Sequence, residues 1–323
     1  MLDPRTLQAL VAEASLAPSV HNIQPTRWQP EDGRVVVSAD PARRLPIGDP
    51  EGRDVAVSHG CAVEGFRIAA ASRGLLADIA SGGPEVAVLT LTAGAEADPL
   101  AAFVSTRRTY RGRFEASAST PDACARLAET CPDLVVVQRQ DAIADLAALY
   151  DEASLRWFRR ADYRAELVSW MRLSRRHADW ARDGLNAEAM EMSAFEAAGA
   201  GFVLRPGVFE ALDKVGLAGS LVAEAPVVRS ATAVALFHRP VDEPPFETGR
   251  RFYRVWLAFT ELGLSASPMA VLADDETASA SLKAEYGLGA DRRLITAFRL
   301  GLAPARRLKP KPRLPLESLI LSL

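Results

Sequence analysis

The stretch VWLAFTELGL, residues 255–264, decides the fold because the sequence contains a second copy of its pattern. Residues 66–75, FRIAAASRGL, match it when the two are aligned on their glycines, at an offset of 189 residues. Both stretches place apolar residues at helical spacing and end at a glycine, the residue most often found where a helix terminates in the left-handed conformation. A repeat of this length predicts a duplicated domain rather than a solenoid unit, with two apolar helices that pack against each other.

The segments around the two copies follow one order of helices and strands. Helical spacing and β-branched runs predict the following elements: a helix at 3–16, a strand at 34–40, a helix at 57–74, a strand at 85–91, a strand at 226–237, a helix at 252–262 and a strand at 293–301. We therefore predict an α+β (α/β) chain with an N-terminal half at 1–100 and a C-terminal half at 101–323.

The C-terminal half carries extra sequence between its elements. Thr120 and Pro121 suit the N-cap and first turn of a helix, and residues 141–180 are predicted to be helical almost throughout. A helical insertion is thus expected at about 141–207. Its part at 184–207, rich in Gly, Ala and Met, is either a lid or a plain loop-helix insertion.

Composition excludes several classes of protein. The chain has 323 residues, 49% hydrophobic and 24% charged, with a formal net charge of −3, which predicts neither nucleic acid nor an anionic membrane as a partner. The longest uncharged stretch, 14–26, is far shorter than the roughly 20 apolar residues of a membrane span. The start of the chain lacks the basic and apolar pattern of a secretory signal, and three cysteines without a CxxC fit a reducing compartment, so we expect a cytoplasmic protein.

Familiar catalytic motifs are missing from the sequence. There is no GxGxxG, no GxxxxGK[ST], no GxSxG and no HExxH. The acidic run ADDET at 273–277 resembles a metal cluster, but two acids that open a helix are more often a cap.

Two basic clusters suit a phosphate group. Residues 107–114, RRTYRGRF, hold four arginines and a threonine, and guanidinium groups bind phosphate bidentately. The second cluster, in 305–320, alternates prolines with Arg306, Arg307, Lys309, Lys311 and Arg313, and ends in apolar residues that predict docking of the chain end. The alternatives are a solvated basic turn and a solvated tail.

The loop APSVHNIQP, residues 17–25, is short, polar and bounded by prolines. Its Asn and Gln side chains carry both donors and acceptors, which suits the imide-like edge of a flavin or a base. His21 is expected to have a structural role, because no partner for a catalytic base is evident in the sequence.

These three pieces together resemble the nitroreductase (flavin reductase) superfamily. APSVHNIQP resembles its SPSSxNxQPW element, RRTYR its RxSxK/R phosphate motif and LKPKPRLPLESLI its C-terminal basic segment. The likeness covers most of 105–323 apart from the insertion, and more loosely 1–95. Length and motif order most resemble the Acg-type FMN-binding oxidoreductases, in which two nitroreductase-like domains are fused in tandem with a three-layer fold.

The resemblance implies FMN as cofactor, NAD(P)H as a transient electron donor and an internal pseudo-dimer that needs no second chain, with a small-molecule substrate. It places Arg107, Arg108, Thr109 and Arg111 on the phosphate and ribityl side, with Lys311 and Arg313 closing the phosphate pocket. It brings Pro18, Ser19, Val20 and Asn22 across the internal interface towards the flavin, and Met269 and Ala270 to the ring. No side chain is implied as a general base or acid, since the flavin performs the chemistry.

The departures from the family pattern leave three hypotheses. Val20 replaces a serine, Thr26 stands at the tryptophan position, and Ala270–Val271 replace a Glu-Gly pair, so that one acceptor near the ring is missing. One complete site is expected. The chain is then an FMN oxidoreductase that reduces a nitro, quinone or enone acceptor, a protein of the same fold that stores FMN without turnover, or a phosphate-binding or structural protein without flavin.

Overall fold

The computed structural model describes residues 3–305 and 311–321. The first half contains the following elements: α1 (Pro4–Ala14), β1 (Thr26–Glu31), β2 (Arg34–Ala39), α2 (Arg53–Ala71), β3 (Leu75–Ser81) and β4 (Ala87–Ala93). Its four strands form one antiparallel sheet in the order β1-β2-β4-β3. The apolar faces of α1 and α2 pack on this sheet, where Ala77 of β3 and Ala87 and Leu89 of β4 are buried.

The second half has the same elements with an insertion among them. They are α3 (Thr120–Thr130), β5 (Leu134–Val137), α4 (Gln140–Arg159), α5 (Ala161–Trp170), β6 (Met171–Arg172), β7 (Leu185–Asn186), α6 (Ala194–Val203), α7 (Val208–Lys214), α8 (Ala218–Val222), α9 (Ala225–Val228), β8 (Ala233–Pro240), α10 (Pro245–Glu261), β9 (Ser265–Met269), α11 (Val271–Asp274), α12 (Glu276–Glu285), β10 (Arg292–Gly301) and α13 (Leu316–Leu319). The second antiparallel sheet has the order β5-β8-β10-β9.

The two sheets are built on one plan. In each, a helix precedes the first strand, a helix connects the second strand to the third, and the third strand is the edge strand beside the fourth. The second sheet buries apolar side chains on both faces, against α3 and α10 on one side and against α4, α9, α11 and α12 on the other. The α+β fold with two related halves, predicted from the repeated helix, is therefore what the chain adopts.

Helices α2 and α10 pack against each other between the sheets. Two glycines permit this close approach: a Cβ at Gly60 would overlap the backbone oxygen of Phe246, and a Cβ at Gly249 would overlap the backbone of Val57. The Cys61 thiol donates a hydrogen bond to the Gly249 carbonyl at 3.1 Å. The repeated helix of the sequence thus forms the centre of the molecule.

The chain end returns to the first half. Leu314 and Leu319 are buried in the core formed by α1, α2 and the first sheet. The Leu321 amide donates to the Trp28 carbonyl at 2.8 Å, which adds a short parallel pairing beside β1. The predicted docking of the C-terminal segment is confirmed, whereas Arg306, Arg307 and Lys309 lie outside the described residues.

Three local predictions were wrong. The strand predicted at 226–237 begins only at Ala233, because the carboxylate of Asp151 on α4 accepts from the Glu224 and Ala225 amides and caps a helical turn there. The helix predicted to reach residue 180 ends at Trp170, and α3 is preceded by Ser119 rather than Thr120 at the N-cap.

No helix in the described part of the chain is both long and apolar enough to cross a membrane.

Candidate functional site

A cavity of about 560 Å³ lies between the two halves and the insertion. This volume falls within the range of about 300–1,000 Å³ that small-molecule and cofactor sites occupy. The predicted site residues that line it are Pro18, Ser19, Val20, Asn22, Arg107, Arg108, Thr109, Arg111, Ala270, Lys311 and Arg313. The fold thus brings together four segments that are far apart in the sequence.

Met269 is the exception among the predicted residues. It does not line the cavity, because β9 places its side chain in the core behind the second sheet, where it is 2% exposed. Ala270, one residue later, leaves the strand and lies on the cavity wall.

The loop between α1 and β1 has an unusual backbone. His21, Asn22 and Gln24 have φ values of 42°, 55° and 51°, in the left-handed region that few non-glycine residues adopt. The Ser19 hydroxyl accepts from the backbone amide of Gln24 at 3.0 Å, and the Ser58 hydroxyl of α2 accepts from the backbone amide of Val20 at 3.0 Å. Such strain persists only where surrounding contacts over-determine it, and it concentrates at functional sites.

Asn22 and Gln24 join three parts of the chain. The side-chain amide of Asn22 donates to the carbonyls of Gly184 in the insertion and Pro312 in the C-terminal segment, at 3.3 and 3.2 Å. Gln24 donates to the Arg182 carbonyl at 2.8 Å, and its own side-chain oxygen accepts from the Leu314 amide at 2.8 Å. These side chains hold the cavity walls together, so their amides are engaged by protein groups rather than turned to a ligand.

Arg107 is a buried cation without a carboxylate partner among the described residues. Its side chain is 3% exposed yet lines the cavity. One nitrogen, Nη2, donates to the Leu16 carbonyl at 3.0 Å, whereas Nε and Nη1 have no hydrogen-bond partner in the described part of the chain. Burial lowers the pKa of Arg107, and the charge of Arg108 adds to this effect, whereas the neighbouring Tyr253 and Cys61 side chains oppose it. An unpaired buried charge is costly, so this position favours an anionic ligand.

The other basic residues are engaged to different degrees. Arg108 donates to the Ser105 carbonyl at 3.0 Å and keeps a buried Nε without a partner among described groups, and Lys311 reaches the same carbonyl only at 3.5 Å. Arg111 donates to the Ala189 carbonyl of the insertion at 3.1 Å, and burial lowers its pKa.

Arg313 is the most engaged of these cations. Its guanidinium donates to the Ser15, Leu16 and Ala17 carbonyls at the end of α1, which is where a cation complements the helix dipole. A further bond joins it to the Asn22 side-chain oxygen at 2.9 Å. Burial lowers its pKa to about 9, and the charge of Arg107 adds to this effect. Arg313 therefore fixes the C-terminal segment to the loop and supplies positive potential, with few donors left for a ligand.

The cavity also has an acidic part that the sequence did not reveal. Asp54 in the first turn of α2 and Asp274 at the end of α11 both line it, together with Tyr163 of the insertion. Burial raises the pKa of Asp54 to about 6, and the nearby charge of Asp49 adds to the rise. Desolvation and the charge of Asp54 raise the pKa of Asp274.

The two aspartates of the acidic run at 273–277, Asp274 and Asp275, have different roles. Asp275 caps α12, where it accepts from the Ala278 amide at 2.9 Å, and pairs with Arg156 at 2.7 Å. The cap interpretation is therefore confirmed for Asp275, whereas Asp274 faces the cavity. No group of residues suited to hold a metal occurs in the described part of the chain.

His21 lines the cavity as a neutral residue. Burial lowers its pKa to about 4, the charge of Arg111 lowers it further, and its Nδ1 has no partner among the described groups. It therefore carries no positive charge near neutral pH.

Comparisons with known proteins agree with the sequence motifs. No protein-family model matches the chain. A Mycobacterium tuberculosis protein named "Putative NAD(P)H nitroreductase acg" is 35% identical to this chain over 79 residues, which is 24% of each chain. A second protein of that organism, also named as a putative NAD(P)H nitroreductase, is 28% identical over 177 residues, which is 52% of each chain. The chain thus spans at most about half the length of these relatives. The predicted similarity to the nitroreductase superfamily, Acg-type proteins included, is confirmed by them.

Two solved structures are also similar to parts of the chain. The FMN-dependent nitroreductase NfnB from Mycobacterium smegmatis, in complex with NADPH, covers 62% of this chain and 86% of its own at 19% identity, with a TM-score of 0.36. A "putative nitroreductase" from Anabaena variabilis covers 92% of this chain and 88% of its own at 11% identity, with a TM-score of 0.41.

Proposed function

We propose that this chain is an FMN-dependent oxidoreductase, like the activity named for its putative mycobacterial nitroreductase relatives. It would pass two electrons from NAD(P)H or another reductant to a small nitro, quinone or enone acceptor. The cavity between the two halves would take the place of a site that two subunits otherwise share. The half boundary at residues 100 and 101, the single-chain pseudo-dimer and the cytoplasmic location remain predictions.

The observation that carries this proposal is the unpaired Arg107. A guanidinium that is 3% exposed and has two nitrogens without partners in the described chain needs an anion. The FMN phosphate is a dianion that accepts two parallel guanidinium hydrogen bonds. Arg108 and Lys311 line the same cavity and add positive charge there.

The remaining lining residues suit the rest of FMN. The Thr109 hydroxyl is a neutral donor and acceptor for the ribityl chain, and Arg111 adds a cation on the same cavity wall. Trp157, Phe158 and Leu167 of the insertion give the cavity an apolar wall, the surface that an aromatic ring system requires.

When bound, FMN would supply the two-electron chemistry, which makes a protein nucleophile unnecessary. The task of this chain is to bind, orient and shield the cofactor. Arg111 would help to hold the cofactor by its positive charge on the cavity wall. The insertion would restrict the entry of water, because it contributes α4, α5 and the segment 184–191 to the wall.

Spectroscopy of the purified protein tests FMN binding. Protein incubated with FMN and then desalted is expected to keep the visible flavin bands. Arg107→Ala is expected to weaken FMN binding by about 10- to 100-fold, because a charge-assisted phosphate contact is lost. Arg113→Ala is the matched control, since Arg113 belongs to the same cluster but is exposed and does not line the cavity. Absence of flavin from the wild type, or equal loss in both variants, would reject the proposal.

A storage protein is the second candidate, and the insertion favours it. The same segments that would restrict the entry of water would also restrict that of an acceptor. Stopped-flow reduction of the FMN-loaded protein separates the two: an oxidoreductase loses its flavin absorbance when mixed with NADH or NADPH, whereas a storage protein keeps its flavin oxidised.

A further inference from the structure

The duplication places a second groove opposite the cavity, and the two differ in charge. This groove, about 360 Å³, is lined by Arg67, Ala71, Leu75 and Leu76. At the repeat offset of 189 residues these positions correspond to Trp256, Thr260, Leu264 and Ser265, all of which line the main cavity. The equivalence is supported by the two glycines on which the repeats align, because Gly74 and Gly263 both have a φ of 72° within three residues of the ends of α2 and α10.

In the groove, the cations are neutralised. Glu64, 1% exposed, accepts from Arg67 at 2.6 Å and from Arg250 and Arg254 of the opposing helix at 3.2 and 3.1 Å. Asp98 accepts from Arg254 at 2.6 Å. This network uses the carboxylates of the first half to satisfy its arginines, so the groove offers little attraction to an anion.

In the cavity, the two helix positions carry aromatic rings instead. The counterparts of Glu64 and Arg67 are Tyr253 and Trp256. The guanidinium carbon of Arg107 lies 4.6 Å from the centroid of the Trp256 ring and 5.9 Å from that of Tyr253. Both rings are buried, at 2% and 0% exposure.

We infer that Trp256, with Tyr253 beside it, forms a neutral aromatic platform that positions Arg107 for a phosphate group. We infer further that the exchange of an ion pair for two neutral side chains selects which of the two related places binds the anion. A ring holds a guanidinium through its π face and leaves the N–H groups free, whereas a carboxylate occupies those N–H groups. Trp256 is a positioning residue in this account, because it acts on the ligand through Arg107. The inference rests on the proposed function in that it identifies the phosphate as that of FMN.

The discriminating measurement is the ratio of two affinities, that for FMN and that for riboflavin, which lacks the phosphate. Both are measured by quenching of flavin fluorescence on titration with protein. In the wild type FMN is expected to bind more tightly. In Trp256→Leu this preference is expected to fall by about tenfold, because the guanidinium is no longer held. Trp256→Phe keeps a ring and is expected to retain most of the preference.

Arg67→Leu is the matched control at the equivalent position, and its FMN preference is expected to equal that of the wild type. Equal weakening of FMN and riboflavin in Trp256→Leu would overturn the inference, because Trp256 would then merely shape the cavity. Loss of preference in Arg67→Leu would overturn it as well.

A second measurement is independent of flavin. Inorganic phosphate at constant ionic strength is expected to raise the Tm of the wild type and of Trp256→Phe, but not that of Trp256→Leu or Arg107→Ala. If the wild type binds no flavin but shows this pattern, the proposed function fails and the platform stands. If phosphate raises the Tm of all four proteins equally, the platform is rejected.

Discussion

A buried ion triad fastens the insertion to the first half, and removing its anion tests how the cavity is closed. Asp183 of the insertion, with its side chain 5% exposed, accepts from Arg43 at 3.0 Å and from Arg172 at 2.8 Å. The side chains of these arginines are 18% and 7% exposed. The neighbouring Gly184 carbonyl accepts from Asn22 of the strained loop. The triad therefore supports the contact between insertion and loop that forms one wall of the cavity.

Asp183→Asn would leave Arg172 without a carboxylate partner among the described residues, whereas Arg43 would keep Asp40 at 3.6 Å. Each guanidinium would also keep one backbone carbonyl, that of Ser169 for Arg172 and that of Ile23 for Arg43. Breaking a buried pair by removing one partner costs roughly 3–5 kcal/mol. The retained amide oxygen still accepts a hydrogen bond, so we expect the lower end, about 3 kcal/mol, with the loss confined to the insertion if that segment opens separately.

Urea unfolding, followed by far-UV circular dichroism, measures the loss of stability, and limited proteolysis locates it. Cleavage within 173–193 is expected to accelerate in Asp183→Asn. Asp179→Asn is the matched control, because Asp179 is 41% exposed and pairs with Arg182 only at 3.5 Å, a surface contact worth about 0–1 kcal/mol. A loss below about 1 kcal/mol in Asp183→Asn, equal to that of the control, would refute the buried-triad argument.

Two further predictions concern the helix pair and the buried histidine. Gly60→Ala is expected to destabilise the fold by about 3 kcal/mol, because the new methyl group would overlap the Phe246 carbonyl. Gly199→Ala, on the open face of α6, is the control and is expected to stabilise the fold by up to ~1 kcal/mol. Equal Tm shifts of the two variants would contradict this reasoning. Burial lowers the pKa of His59 to about 4 from its ordinary value of 6.5, so its contribution to the free energy of unfolding is present above pH 6.5 and is lost as the pH falls towards 4. His59→Asn keeps a polar atom near the Thr26 hydroxyl but cannot bind a proton in this pH range. Between pH 6.5 and 4 its free energy of unfolding is therefore expected to fall by about 3 kcal/mol less than that of the wild type. Parallel pH profiles of the two proteins would argue against this.

The sequence alone determined the large features of this protein. The helices α1, α2 and α10 and the strands β2, β4 and β10 were predicted because each has a clear apolar period and a recognisable end. The repeat predicted the related halves, and the polar loop and both basic clusters were recognised as one kind of site. Pattern and motif are local properties of the chain, so local sequence was sufficient for them.

The tertiary structure decided what these pieces do. β1 contains Pro30, and β3 has two alanines, an aspartate and a serine among its seven residues, so both are strands only because a neighbouring strand pairs with them. Met269 and Ala270 are neighbours, yet one lies in the core and the other at the cavity. Whether Arg107 or Arg313 has donors left for a ligand depends on the carbonyls that happen to face each guanidinium. Such contacts join residues that are far apart in the sequence, which is why only the folded chain reveals them.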